Sequence, residues 1–197
     1  MIRLIALACL MVCSLGANAA TLILNTAGQL TGASGVNVDG AFYDVSFIEG
    51  NCTGVFGGCD QDSDFTFSTF DQARAASQSL LDQVLLDSAL GQFDTVPSLT
   101  LGCSTSLCNV TTAYDLVESN STVPVMSASN YTVERAWTVQ GDHVSPDTYN
   151  TFTNTGGLTS HVFAKWSPSP VPLPAAAWLF ISALGGLVVA KRKQLKA

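Results

Sequence analysis

The rhythm of hydrophobic and polar positions changes several times along the chain, and each change marks an element. Residues 4–15 are an apolar stretch interrupted only by Ser14, whereas from Ala20 to about Trp166 short apolar runs are punctuated by Thr, Ser, Asn, Gly and Asp. Strands are predicted at 21–24, 35–38 and 41–48. In Phe42-Tyr43-Asp44-Val45-Ser46-Phe47 the larger side chains partly alternate with small or polar ones, as on a half-buried strand. Asp39-Gly40 between two of these runs is a hairpin-turn signal. Later strands are predicted at 109–113, 132–140 and 161–166, the last preceded by the turn-forming Asn154-Thr155-Gly156-Gly157.

One stretch follows a different period. Residues 71–90 contain neither Gly nor Pro, and Ala73, Ala76, Leu80, Leu81, Val84, Leu85 and Ala89 recur at helical spacing. Thr69 with Gln72 three residues later predicts a capping box, and Gly91 a C-terminal stop. The fold class expected is mainly β, or α+β: a small antiparallel-sheet domain with one long amphipathic helix on it, plus a C-terminal transmembrane helix. No repeat of 20–50 residues points to a solenoid.

Both ends read as addressing segments. Met1-Ile2-Arg3, the apolar run and the small-x-small site Ala17-Asn18-Ala19 have the order of a secretory signal peptide, with cleavage expected after Ala19. The exported part then begins at residue 20. At the other end Ser167-Pro168-Ser169-Pro170-Val171-Pro172-Leu173-Pro174 has proline at every second position, which predicts an extended, stiff spacer over 167–172, outside any sheet interior. Residues 173–190 carry no charge, and eighteen helical residues span about 27 Å, enough for the hydrocarbon core. Lys191, Arg192 and Lys193 follow as a basic stop within the tail 191–197, so the expected orientation is a single pass with the body outside and the C-terminus cytoplasmic.

Charge sharpens this reading. All fifteen acidic residues lie between Asp39 and Asp147, and only Arg74, Arg135 and Lys165 oppose them between the apolar ends, giving a net charge of −12 there. Such a surface repels phosphate backbones and disfavours a nucleic-acid partner. Cys9 and Cys13 fall in the leader, which leaves Cys52, Cys59, Cys103 and Cys108, an even set in an exported chain. Of the three possible connectivities the local pairs Cys52–Cys59 and Cys103–Cys108 are favoured, because each closes a short loop containing Gly or Ser. Spacings without C-x-x-C, and only two histidines in the chain, disfavour zinc.

Catalytic patterns are sparse. Asp60, Asp62 and Asp64 alternate as at the opening of a calcium loop, but Phe65 stands where the EF-hand turn needs glycine and Asp71 where it needs glutamate. That leaves a weak calcium candidate, and no other cofactor is expected. There is no G-x-S-x-G, Walker A loop or dinucleotide fingerprint, and His143 and His161 lie near Asp142 and Ser160 without a motif. Catalytic residues: none expected; the chain reads as a non-enzyme.

Val171-Pro172-Leu173-Pro174-Ala175-Ala176-Ala177-Trp178, then an apolar helix, then Lys191-Arg192-Lys193, resembles the PEP-CTERM class of sorting signals in its VPLPA variant, over residues 171–197. The resemblance implies a Gram-negative host, often one making extracellular polysaccharide, and a membrane-embedded exosortase that recognises the tail and cuts near the proline motif. The common form has Pro-Glu-Pro where this chain has Pro172-Leu173-Pro174, which leaves open the exosortase variant and the bond cut. A sortase tail would need Thr-Gly after Leu-Pro-x, and Ala175-Ala176-Ala177 follow instead. The body resembles uncharacterised exported proteins with such tails, through Tyr43-Asp44-Val45-Ser46-Phe47 and the glycine-flanked Cys52 and Cys59, and no activity is implied by that. The partners expected are signal peptidase, the exosortase-type enzyme, the inner membrane and extracellular polysaccharide. The function expected is a structural or interaction role in the envelope or exopolysaccharide layer (biofilm matrix), ahead of a calcium- or carbohydrate-binding module and of an exported hydrolase.

Overall fold

A computed structural model describes residues 19–115, 122–132 and 141–170. Nine strands and two helices occur among them: β1 (Thr21–Leu24), β2 (Leu30–Val38), β3 (Ala41–Ile48), α1 (Cys52–Phe56), α2 (Phe70–Gln83), β4 (Asp87–Ser88), β5 (Gly91–Gln92), β6 (Leu107–Ala113), β7 (Thr122–Tyr131), β8 (His143–Asn150) and β9 (His161–Pro168). Seven strands form one sheet in the order β1-β2-β3-β9-β6-β7-β8, and β4-β5 is a separate small hairpin. Every pairing in the large sheet is antiparallel except β6 with β9. The fold is therefore a small, mainly β domain with a mostly antiparallel sheet and one long helix.

The strands expected at 21–24 and 41–48 have those bounds, and those at 35–38, 109–113 and 161–166 lie inside longer strands. Asp39 and Gly40 both adopt positive φ in the β2–β3 turn, the conformation a two-residue hairpin demands. The strand expected over 132–140 is not seen at Thr132, which follows β7, and 133–140 lie outside the described residues. Strands β7 and β8 were not anticipated. Pro124 and Pro146 interrupt their apolar pattern, yet Pro124 is the third residue of β7 and Pro146 lies on the edge strand β8, where a missing N–H is tolerated.

Helix α2 begins as expected and ends early. Thr69 caps it by accepting the Gln72 N–H (3.3 Å), while the Gln72 side chain reaches the N–H of Ser68 (3.2 Å) rather than that of Thr69. The helix stops at Gln83, with the Leu85 N–H turning back to the Leu80 carbonyl (2.8 Å). Of the stripe expected to run to residue 90, Ala73, Ala76, Leu80, Leu81, Val84 and Leu85 are buried and Ala89 is exposed. The reason lies at Asp87, whose carboxylate accepts the N–H groups of Asp94 (3.0 Å) and Thr95 (3.1 Å) and the Thr95 hydroxyl (2.9 Å), organising the β4–β5 hairpin in place of further helical turns.

The helix covers one sheet face. Its small and aliphatic side chains pack on Val36, Val45, Val110, Met126, Ala128, Val162 and Trp166, a single buried cluster. Each fully buried Leu, Val or Phe contributes about 1.5–3 kcal/mol. Ser77, fully buried at this contact, donates to the Met126 carbonyl (3.0 Å), and Gln83 clamps the β2 backbone at Asn37 through both its N–H and C=O. On the opposite face the segment around α1 roofs one end of the sheet: Cys52, Val55, Cys59 and Phe65 bury Ala113, Val123, Val125 and Phe163. Lys165 fixes this roof by donating to the Val55 carbonyl near the end of α1 (2.8 Å). Elsewhere on that face Thr111, Ser127, Ser129 and Tyr149 are buried, and Asn109, His143, Ser145 and His161 are partly exposed.

Candidate functional site: a polar row across the sheet face opposite the long helix

Registers across four strands align one residue from each. His143 on β8 stands opposite Ser129 on β7, Ser129 opposite Asn109 on β6, and Asn109 opposite His161 on β9. Strand alternation puts their neighbours Val144, Ala128, Cys108, Val110 and Val162 on the helix side, so the row lies on the other face. Ser129 Oγ donates to Asn109 Oδ1 (2.8 Å), Asn109 Nδ2 contacts His161 Nε2 (3.0 Å), and His161 Nδ1 contacts Ser160 Oγ (3.0 Å). Beside it runs a second line, Ser145, Ser127 and Thr111, before the sheet passes under the α1 roof at Phe163.

Aromatic groups bound the row. At the β8 end the Tyr131 and His143 rings are nearly parallel (15°) with centroids 5.8 Å apart, and Asp142 Oδ1 holds the Tyr131 N–H (2.7 Å). Toward the roof Tyr149 packs against His161 and Phe163, each at 6.0 Å. Tyr149 is 8 % exposed, and its hydroxyl, though near Ser127, has no well-formed hydrogen bond. Burial, reinforced by the Asp147 carboxylate, pushes that phenol well above its ordinary range. Burial also holds His161 below the usual histidine range, against a smaller opposing pull from Asp147. Outside the row, burial and the neighbouring Asp142 carboxylate push Asp94 up.

The orientation of the Asn109 amide sets the donor and acceptor roles along the row. With the Asn109 amide nitrogen donating, His161 Nε2 is an acceptor, the ring proton sits on Nδ1, and the Ser160 hydroxyl accepts it. An activated serine needs the reverse, with the hydroxyl proton passing to the ring. The row is an array of hydroxyl, amide and imidazole groups flanked by Tyr131 and Tyr149, in which Ser129 is buried and His143, Asn109 and His161 are partly exposed.

Apart from His143 and His161, which the row brings together, the sequence candidates fall elsewhere. Cys52–Cys59 and Cys103–Cys108 are disulfide-bonded, with Cα separations of 5.8 and 5.4 Å, the local connectivity expected. Asp60, Asp62 and Asp64 lie in the loop just past Cys59, but they do not act together. Asp64 Oδ2 accepts the N–H groups of Cys59 (2.7 Å), Asp60 (3.1 Å) and Gln61 (3.2 Å), and these bonds, Asp60 first, hold its carboxyl below the usual range. Gly58 leaves the room for that carboxylate, since a Cβ there would collide with it. Asp64 thus folds the loop. Among the described residues no three His, Cys, Asp or Glu side chains gather to hold a metal ion.

Ala19 is described, and Ala17 is not; the sorting motif Val171, Pro172, Leu173, Pro174 and Ala175, the helix expected over 173–190 and the basic stop Lys191, Arg192 and Lys193 also lie outside the described residues. Among the described residues no helix is long and apolar enough to cross a membrane. The start of the spacer differs from expectation. Ser167 and Pro168 pair with Asp44 and Tyr43 on β3, and the Ser169 N–H continues the ladder to Phe42 O (2.9 Å). Because alternate residues donate to β3, the Pro168 nitrogen points away from it and its missing N–H costs nothing there.

Ser129, Asn109 and Tyr149 do not stand out in the sequence, because which strands adjoin decides their company. No family model, curated protein or solved structure matches this chain.

Proposed function

We propose that this chain is an exported protein of the cell surface or extracellular matrix, sorted through the PEP-CTERM-like tail at 171–197 and acting by contact rather than catalysis. Its contact surface is the partly exposed polar row on the sheet face opposite α2, and its partner is a hydroxyl-rich polymer, an extracellular polysaccharide. The observation that carries the contact role is the His143–Ser129–Asn109–His161 row, whose partly exposed His143, Asn109 and His161 stand in register between the Tyr131–His143 pair and Tyr149. Polysaccharide hydroxyls exchange hydrogen bonds with such groups, and sugar C–H faces pack on aromatic rings.

Two further features support the address. Both disulfides close loops on the body, which suits an oxidising compartment. The order proline motif, apolar span, basic cluster suits a membrane handle read from outside. The strongly acidic body favours a neutral polymer over an anionic one.

The test is retention of the full chain, in detergent micelles, on immobilised neutral and uronic-acid polysaccharides. The neutral polymer should be preferred, and a Tyr131→Ala/Asn109→Ala double variant should bind about tenfold more weakly, as expected when two modest interactions are removed. Equal binding by the variant, or preference for the anionic polymer, would contradict the contact role.

A further inference from the structure

The two ends of the described body meet at one corner of the sheet. A cavity of about 340 Å³ there is lined by Ala19 and Thr21 from one end, by Ser169 and Pro170 from the other, and by Asp44 and Gly35 among its remaining walls. The bulge between Ala33 and Val36 frees the Gly35 N–H from the β2–β3 ladder, and Asp44 Oδ1 accepts it (3.0 Å). The Ser169 hydroxyl donates to the same oxygen. Both bonds fall on Oδ1, which leaves Oδ2 as the open oxygen of the carboxylate.

Thr21 pairs with Ser34, so the ladder carries Ala20 alongside Gly35, and the Ala20 side chain packs against the helix-side core. The nitrogen of Ala20 is bonded to Ala19, which itself lines the cavity with Asp44. Hydrolysis of the Ala19–Ala20 amide adds water across that bond, leaving a carboxylate on the departing leader and an ammonium on Ala20.

We infer that this corner is a binding site for a primary ammonium, and that its ligand is the chain's own mature N-terminus, received by Asp44. Signal-peptide removal would then create a charge pair absent from the precursor. Asp44 would join the first residue of the exported body to Ser169, the last residue held by β3, clasping both ends at one oxygen pair. The inference rests on cleavage after Ala19 and is independent of polysaccharide binding and of the tail's processing.

The experiment uses the protein exported with its own leader, so that the cell sets the terminus. The α-amine is labelled with an acylating reagent at neutral pH, and mass spectrometry of the N-terminal peptide gives its rate. An ammonium paired with Asp44 should react about threefold to tenfold more slowly than in Asp44→Asn, because a nearby carboxylate raises the amine above its ordinary value near 8. Ser34→Ala, which keeps Asp44, should retain the slow rate. Should Asp44→Asn fail to fold, the pH midpoint of labelling in the unaltered protein is the second readout, expected above the ordinary α-amine range. Equal rates in the folded variants, a midpoint inside that range, or a terminus other than Ala20 would overturn the inference. None of these outcomes bears on the contact surface.

Discussion

Leu80 is fully enclosed between α2 and the sheet, so Leu80→Ala should cost about 2–5 kcal/mol, read as a drop in the denaturation midpoint. Two titrating residues make the fold sensitive to acid in different windows. His161 is held below its unfolded value, so the unfolded chain takes up its proton first. Stability conferred by the neutral ring is intact above the unfolded value near 6.5 and declines as pH falls toward the folded value. His161→Gln should flatten that part of the stability–pH profile. Asp64 is a depressed carboxyl, whose contribution is complete above about pH 4 and is lost as pH falls through its folded value. Asp64→Asn should flatten the more acid limb, with no effect of added calcium on the melting of either form. A calcium-dependent rise in melting temperature abolished by Asp64→Asn would contradict the structural role given to this residue. At this scale the cysteines were legible because five- and seven-residue separations restrict which partner is near. The row was not, since Asn109, Ser129, His143 and His161 come from four strands and acquire meaning only through register.

At the level of elements, local signals worked where a local cause acts. The Asp39-Gly40 turn, the Thr69 cap and strand β3 follow from residues within a few positions of each other. The C-terminal end of α2 did not, because Asp87 bonds to Asp94 and Thr95 across a hairpin whose apolar residues still fit a helical period. Strand β9 exceeds its predicted end for a similar reason: alternating prolines oppose a central strand, but here only the β3 side is paired and Ser167 and Ser169 carry the N–H groups that face it. The disulfide loops are independent of both effects. Reducing Cys52–Cys59 should lower stability by about 2 kcal/mol on loop-closure grounds and release the α1 roof from Phe163, seen as faster hydrogen exchange in β9. Unchanged exchange in β9 after reduction would show that the roof is held without the bond.

For the molecule as a whole, the kind of fold was legible and the order of its strands was not. A sheet with one helix and two local disulfides follows from periodicity and cysteine spacing, and the seven-strand order does not, because β9 inserts between β3 and β6 from far along the chain. The proposed sorting signal rests on linear order alone, proline motif, apolar span and basic cluster, and lies outside the described residues. The ladder ends at Ser169, so only Pro170 and Val171 separate the sheet from the Pro172-Leu173-Pro174 motif. At about 3.3 Å per residue, a cut between Pro172 and Pro174 would fall at most about 17 Å along the chain from the folded body. Cleavage there should leave β9 and its pairing intact. The most direct test is the intact mass of the mature protein from its native host. A chain starting at Ala20 and ending between Pro172 and Pro174 is expected, with the full C-terminus restored when the exosortase is deleted. Chains that end at Ala197 whether or not the exosortase is present would contradict it.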